Sequence, residues 1–203
     1  MLAVVGGHSR NIGKTSVMAG LIAALAELRW TAVKITQLGH GICSADGEGC
    51  GCEVELDHPY ALTEETEASG RTDSGRYLAA GAERSFWLRT RAGELGHAMP
   101  AVRAILDGSV NAIVESNSIL QFLRPEVYVV VTDPAMADFK DSARLYLDRA
   151  DAVVQIEREG APMWQGVAAR LWESKPRFAV RAGDYRSAEL AEFVRERLEG
   201  QCE

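Results

Sequence analysis

Short apolar runs alternate with helix-forming stretches along most of this chain. Apolar runs of this length are typical of strands buried in a parallel sheet. They predict strands at residues 2–5, 31–35, 84–89, 112–115, 127–132, 152–156 and 177–180. The stretches between them predict helices at residues 14–28, 75–80, 95–106, 138–149, 163–172 and 187–198. This alternation predicts an α/β fold, with a mostly parallel sheet flanked by helices on both faces.

The alternation is lost between about residues 39 and 70. Glycines and acidic residues are frequent there, and most of the chain's 4 cysteines cluster in it. A long irregular segment in a compact domain is usually functional or mobile. The 203 residues suit one domain, and no internal repeat or low-complexity linker divides them. We therefore expect a single domain over residues 1–203 with an irregular insert at about 39–70.

The first strand leads into a glycine-bounded loop, and Lys14 and Thr15 follow this loop at the head of a predicted helix. Strand, loop and helix in this order are the context that a phosphate-binding loop (P-loop) requires. Backbone N–H groups and the helix N-terminus surround an anion, Lys14 reaches the outer phosphates, and the Thr15 hydroxyl reaches Mg²⁺. The residues predicted to bind the nucleotide are Gly7, Ser9, Asn11, Ile12, Gly13, Lys14, Thr15 and Ser16. The predicted fold is accordingly a three-layer P-loop NTPase.

This loop is one residue longer than the usual P-loop. The usual spacing would place the first glycine at position 8, where this chain has His8, and Gly7 stands one position earlier. The alternative is a chance Gly-Lys-Thr after an ordinary turn. His8 and Arg10 lie inside the loop, where either side chain contacts phosphate or points to solvent.

Acidic residues beside the loop are candidates for holding a metal ion. Glu115 ends the apolar strand 112–115, where Mg²⁺ or its waters need a hard oxygen ligand. We predict that Glu115 acts with Lys14 in catalysis and with Thr15 at the metal, and Asp73 at a helix start is a further metal candidate. The alternatives are a solvent-facing acid for Glu115 and a plain N-cap for Asp73.

Four further positions have open roles. Lys34 lies in a short apolar strand. Its ammonium binds a second phosphate or an acidic substrate, or the strand lies at the edge of the sheet and the ammonium extends to solvent. Asn117 and Ser118 follow Glu115 and are weaker candidates for contact with substrate or metal-bound water. Asp133 follows another apolar strand, where it could touch a nucleotide base.

Cys43, Cys50 and Cys52 form the second unusual feature of the sequence. They offer soft ligands for zinc or an iron–sulfur cluster, with His40 or Cys202 as a fourth. Their spacing matches neither the usual zinc pattern nor the usual ferredoxin pattern. The alternative is a flexible glycine-rich loop with adventitious thiols.

Composition restricts the partners and the compartment. The net charge of -7 argues against nucleic-acid binding, because neutralising phosphates requires clustered Lys and Arg. The predicted helix at 14–28 contains Glu27, so it predicts a buried helix and no membrane partner. The first strand begins too early for a secretory signal to precede it. We expect a cytoplasmic protein whose cysteines are reduced.

The loop from Gly7 to Thr15 resembles that of dethiobiotin synthetase and of the cobyrinate and cobyrate amide synthases. These families belong to the P-loop class that also holds the signal-recognition and nitrogenase-iron-protein-like NTPases. The strand end at residues 113–115 is similar to the Val-Glu-Gly element of that class, although Ser-Asn-Ser follows Glu115 here in place of Gly.

Two other segments resemble molybdopterin-guanine dinucleotide biosynthesis protein B (MobB). Residues 32–36 with 39–41 are similar to its Val-Ile-Lys-His segment, and residues 72–82 are similar to its Asp-Ser/Thr-x-Arg-x-x-x-Ala-Gly-Ala helix. This resemblance implies a GTP-binding accessory protein in molybdenum-cofactor maturation, a homodimer with weak hydrolysis and a biosynthetic partner protein. It places Asp73 and Arg76 toward the site or toward a partner.

Three functions therefore stay open. The first is the MobB-like accessory NTPase, which the 72–82 helix favours. The second is an ATP-dependent ligase of the dethiobiotin synthetase type, which the loop length favours. The third is a metal- or cluster-binding maturation NTPase, which the cysteines favour.

Overall fold

The computed structural model describes residues 1–38 and 58–200. The strands in these ranges are β1 Leu2–Gly7, β2 Trp30–Leu38, β3 Tyr60–Glu65, β4 Arg84–Arg91, β5 Asn111–Glu115, β6 Val127–Thr132, β7 Ala152–Ile156 and β8 Arg177–Val180. The α-helices are α1 Lys14–Ala24, α2 Asp73–Ala79, α3 Leu95–Asp107, α4 Asp141–Tyr146 and α5 Ala188–Glu199. Short 3₁₀ turns lie at Ala26–Leu28, Ser118–Gln121, Leu147–Arg149 and Ala169–Leu171.

These strands form one 8-stranded sheet in the order β3-β4-β2-β5-β1-β6-β7-β8. Neighbouring strands are parallel, except that β3 runs antiparallel to β4. The first strand therefore lies in the middle of the sheet, between β5 and β6. Ligands bind beyond the carboxyl ends of such strands, and the loop after β1 emerges at this edge.

Two apolar layers cover the two faces of the sheet. One contains Val17, Met18 and Ile22 of α1 together with buried residues of α5, and the other contains the buried face of α3 with Phe139 and Trp164. The central strands β1, β5 and β6 are buried on both sides, which explains their continuous apolar runs. The predicted three-layer α/β fold is confirmed.

The structure corrects the predicted insert at 39–70 in its last part. Residues 39–57 lie outside the described ranges, but Tyr60–Glu65 forms the edge strand β3. The acidic residues of this segment favoured the prediction of an irregular loop, although edge strands commonly carry charged side chains. Here Glu64 pairs with Arg84 of β4, with 2.8 Å between the carboxylate and the guanidinium.

The predicted helix at 163–172 is wrong. Only the 3₁₀ turn Ala169–Leu171 forms there, because Gly166 takes a positive φ of 69° that a helix does not accommodate. The buried Trp164 instead packs on Phe139 and Trp172. The helices expected at 14–28 and 138–149 are also shorter, and each ends in a 3₁₀ turn.

No helix among the described residues is long and apolar enough to cross a membrane.

The N-cap of α5 gives a test of local stability. The Ser187 hydroxyl accepts a hydrogen bond from the Leu190 N–H at 3.1 Å. We expect Ser187→Ala to lower the free energy of unfolding by about 1 kcal/mol, because this N–H loses its partner. Denaturant unfolding measures the change, and Ser187→Asp is the control because it keeps a capping oxygen. Equal stability of Ser187→Ala and the wild type would contradict the assignment.

Candidate functional site

The loop between β1 and α1 contains glycines at positions where a side chain would clash with neighbouring residues. Gly13 has φ 85°, and a Cβ there would lie 2.3 Å from the Tyr185 ring. A Cβ on Gly7 would lie 2.5 Å from Cδ of Lys14. Asn11 also takes a left-handed conformation, with φ 54°. The loop therefore folds closely around the Lys14 side chain.

Lys14 is held in place by the loop itself. Its ammonium donates to the Ser9 carbonyl oxygen at 2.6 Å. Burial lowers the pKa of Lys14 to about 8, with repulsion from Lys34 and Arg10 acting in the same direction and attraction from Glu115 opposing them. A phosphate beside this ammonium would offset its desolvation.

The Glu115 carboxylate is the centre of a buried polar cluster. Thr15 donates from Oγ1 to its Oε2 at 2.8 Å, and Lys34 donates from Nζ to its Oε1 at 2.5 Å. The Tyr77 hydroxyl also donates to Oε2. Because the Glu115 side chain is only 3% exposed, it is not a solvent-facing acid. Burial, followed by the charge of Glu115, raises the pKa of Tyr77 and keeps the phenol protonated.

Helix α2 brings a second acid to this cluster. Asp73 pairs with Lys34 at 2.9 Å, so Lys34 bridges two carboxylates. The helix cap is supplied by Thr72, whose hydroxyl accepts from the Gly75 N–H at 2.9 Å, and Asp73 is therefore not the N-cap. Arg76 donates to the Ser16 hydroxyl at 2.8 Å and ties α2 to the start of α1.

These groups face one cavity of about 990 Å³ at the carboxyl edge of the sheet. Of the residues predicted to bind the nucleotide or metal, the following line it: Gly7, Asn11, Ile12, Gly13, Lys14, Thr15, Ser16, Asp73 and Glu115. Ser9 does not, because its buried hydroxyl donates to Asp138 Oδ2 at 2.8 Å and only its carbonyl faces Lys14. Lys140 and Tyr185 also line the cavity, and sequence reasoning missed both.

The oxygen atoms around Thr15 suit a hard cation. Thr15 Oγ1 and Glu115 Oε2 are 2.8 Å apart, and the Lys34 ammonium already sits within 3.4 Å of Thr15 Oγ1. Within residues 1–38 and 58–200, no group of three or more His, Cys, Asp and Glu side chains could hold a metal. This donor set fits Mg²⁺, which is commonly held by one or two protein oxygens, by waters and by nucleotide phosphates.

The cysteine prediction falls on residues that the structure does not describe. Cys43, Cys50 and Cys52 lie outside the described ranges, as do His40 and Cys202.

His8 neither contacts the cavity nor points to solvent. It is fully buried, and its Nε2 accepts from the Asp133 N–H at 3.0 Å. Its Nδ1 therefore carries the hydrogen and donates to the Asp138 carbonyl at 2.9 Å. The ring also packs on Phe139 and Trp164. The non-glycine residue at position 8 thus links the loop to the segment after β6, and burial lowers its pKa to about 4.

Asn117 holds the other side of the loop. Its side-chain amide accepts from the Gly7 N–H and donates to the Gly7 carbonyl, both at 2.9 Å. This reciprocal pair extends the strand pairing of β1 beyond the end of β5. A positioning role therefore accounts for its polar groups.

Asp133 forms an ion pair with Arg158, which follows the neighbouring strand β7. Arg158 Nη2 lies 2.8 Å from its Oδ2, and this pair lowers the pKa of Asp133. The carboxylate reaches no cavity-lining position, so the expected contact with a base receives no support from this arrangement.

No family model and no curated protein matches the chain. Among solved structures, HypB from Helicobacter pylori in complex with nickel is similar at a TM-score of 0.50 and 14% identity, over 98% of this chain and 87% of HypB. The apo form of LpxK from Aquifex aeolicus in complex with ATP is similar at a TM-score of 0.48 and 14% identity, over 88% of this chain and 53% of LpxK. With the loop between β1 and α1, the likeness to HypB shows a P-loop NTPase fold.

Buried His8 predicts a characteristic acid sensitivity. An unfolded histidine binds its proton below about pH 6.5, but folded His8 does so only near pH 4. The unfolded state therefore binds more protons as the pH falls between these values, and stability drops by up to about 3 kcal/mol. Urea unfolding at pH 7 and at pH 4.5 measures the free energy of unfolding. Between these two pH values this free energy should fall less for His8→Gln than for the wild type. Equal losses would contradict a neutral, buried His8.

Proposed function

We propose that this protein binds a nucleoside triphosphate with Mg²⁺ and hydrolyses it slowly. The observation that carries the proposal is the convergence of Lys14, Thr15 and Glu115 on one cavity beside the glycine-bounded loop. A loop of backbone N–H groups, a lysine and a hydroxyl next to a carboxylate are the parts that phosphoryl transfer requires.

Each residue has a distinct role in this proposal. The N–H groups of the loop and Lys14 bind the phosphates, and Thr15 and Glu115 orient the metal and its waters. Mg²⁺, when bound, neutralises charge on the phosphates. Glu115 accepts hydrogen bonds from Thr15, Lys34 and Tyr77, which occupy three of the roughly four lone-pair sites of a carboxylate. The remaining site can accept a metal ion or a metal-bound water. A carboxylate committed in this way does not activate a free water, and we therefore expect slow turnover.

We further propose GTP as the nucleotide and an accessory role in molybdenum-cofactor biosynthesis. The support is the resemblance of residues 72–82 to the MobB helix, together with the position of Asp73 and Arg76 on the cavity wall. A homodimer and a partner protein of cofactor biosynthesis belong to the same proposal. The nucleotide that co-purifies with the protein tests it, and GTP or GDP is the expected result.

An ATP-dependent ligase of the dethiobiotin synthetase type is the second candidate. The loop length favours it. Lys34 lines the same cavity but is paired with Glu115 and Asp73, so it would bind a carboxylate or carbamate substrate by exchanging one of these partners. Co-purified ATP or ADP would support this candidate over the first.

The third candidate, a metal-handling maturation NTPase, rests on Cys43, Cys50 and Cys52. The similar HypB structure is in complex with nickel, which is the reason to keep it. Elemental analysis of anaerobically purified protein tests it. A metal-free protein whose stability does not change in Cys50→Ser would remove this candidate.

Lys14→Ala tests the proposed nucleotide site. We expect it to abolish binding of GTP and ATP in the presence of Mg²⁺, because the buried ammonium that neutralises the outer phosphates is gone. Isothermal titration calorimetry measures the affinities. Arg124→Ala is a matched control, since it also removes one positive charge but is exposed and does not line the cavity. No heat with either nucleotide in the wild type, or unchanged binding by Lys14→Ala, would refute the proposal.

A further inference from the structure

Lys140 is anchored to the phosphate-binding loop through its backbone. Its N–H donates to the His8 carbonyl at 2.8 Å. Two residues earlier, Asp138 accepts from the Ser9 hydroxyl at 2.8 Å and from the His8 ring at 2.9 Å. The segment after β6 and the first half of the loop thus form one hydrogen-bonded unit, and Lys140 keeps a defined position beside the loop.

The Lys140 side chain lines the same cavity as Lys14. The other two cavity lysines have partners: Lys14 donates to the Ser9 carbonyl, and Lys34 pairs with Glu115 and Asp73. Among the residues that the structure describes, the Lys140 ammonium has neither a hydrogen bond nor an ion pair. A partly buried ammonium with no protein partner is costly unless an anion comes to it.

The charges around Lys140 strengthen this conclusion. Burial lowers the pKa of Lys140 to about 7, and repulsion from Lys14, Arg10 and Lys34 acts in the same direction. Asp138 is the opposing acid, and its carboxylate is shared with the Ser9 hydroxyl. Among the described residues, the cavity lining carries five cations, Arg10, Lys14, Lys34, Arg76 and Lys140, and four carboxylates, Asp73, Glu115, Asp138 and Asp141. Asp73 and Glu115 are paired with Lys34, and Asp138 accepts from Ser9, so these carboxylates leave Lys140 without an ion pair and a small positive excess remains to attract a phosphate.

We propose that Lys140 is a further phosphate-binding residue, which contacts the terminal phosphoryl group of the bound nucleoside triphosphate. The inference rests on the proposed function, because it places the triphosphate along the Gly7–Thr15 loop. Lys14 contacts the loop at Ser9, which marks the end of the loop that faces the outer phosphates. Lys140 is anchored at His8, the adjacent residue, whereas Thr15 and Ser16 lie at the opposite end.

This position makes Lys140 a selector for triphosphate over diphosphate. A residue that contacts the terminal phosphoryl group loses its ligand when that group leaves. Lys14, in contrast, lies between the outer phosphates and contributes to the binding of both nucleotides. Removing Lys140 should therefore weaken the binding of triphosphates alone, whereas removing Lys14 should weaken the binding of both triphosphates and diphosphates.

Titration of Lys140→Ala with GTP and GDP, and with ATP and ADP, tests the assignment at pH 7 with Mg²⁺. We expect triphosphate affinity to fall about 10-fold, the size of a lost charge-assisted contact, and diphosphate affinity to change less than about 2-fold. Arg124→Ala is again the charge-matched control, and thermal unfolding checks that each variant is folded.

Lys140→Arg provides a second test that does not depend on removing the side chain. The wild type should lose triphosphate affinity as the pH rises from 6 to 8.5, because Lys140 deprotonates, whereas arginine stays charged. The nucleotide and the other charged groups at this site are the same in both proteins; those groups are Arg10, Lys14, Lys34, Asp73, Arg76, Glu115, Asp138 and Asp141. The ratio of wild-type to Lys140→Arg affinity should therefore fall across this range.

The outcomes separate the two proposals. Wild-type protein that binds no nucleotide refutes the proposed function and this inference together. Wild-type binding with an unchanged triphosphate affinity in Lys140→Ala overturns the inference alone. Equal losses for triphosphate and diphosphate, or a pH-independent ratio to Lys140→Arg, also overturn the assignment to the terminal phosphoryl group.

Discussion

The buried Glu115 carboxylate is the constraint on which the site depends. It lies at the end of a central strand with only 3% of its side chain exposed, so its charge must be balanced mainly by groups of the protein. The balancing groups come from different elements: Lys34 from β2, Thr15 from α1 and Tyr77 from α2. Removing one partner of a buried pair of this kind typically costs about 3–5 kcal/mol. The same contacts that stabilise the charge therefore hold the elements of the site together.

The loop between β1 and α1 is held from two sides by groups that leave its cavity face open. Asn117 pairs with the backbone of Gly7, and His8 connects the next position to the segment after β6. His8 does this with both ring nitrogens, which a glycine at this position could not do. The departure from the usual loop spacing is thus a packing feature, and the Lys140 N–H binds the backbone carbonyl of the same residue.

Much of the fold could be predicted from the sequence because buried parallel strands have a distinctive apolar pattern. The central strands and the loop before Lys14 follow from that pattern alone. The edge strand β3 could not, since its half-exposed residues are stabilised by pairing with β4, including Arg84 with Glu64. The predicted helix at 163–172 failed because burial of Trp164 and the left-handed Gly166 outweighed local helix propensity.

Some residues of the site could likewise be predicted from the sequence, and others could not. Lys14, Thr15 and Glu115 carry a local motif or a strand-end signal, and the sequence was enough to nominate them. Tyr77 and Lys140 have no such signal, because their roles arise from contacts between segments far apart in the chain. The pairing of Lys34 with Glu115 becomes visible only from the register of β2 and β5, which places them side by side.

The central claim is that Glu115, with Thr15, forms the metal-facing side of a nucleotide site. The most direct test is triphosphate affinity with Mg²⁺ and with EDTA, for the wild type and for Glu115→Gln, which keeps the size of the side chain and removes its charge. We expect Mg²⁺ to raise wild-type affinity at least about 10-fold and Glu115→Gln affinity less than about 3-fold. An equal Mg²⁺ effect in both proteins, or none in the wild type, would contradict the account.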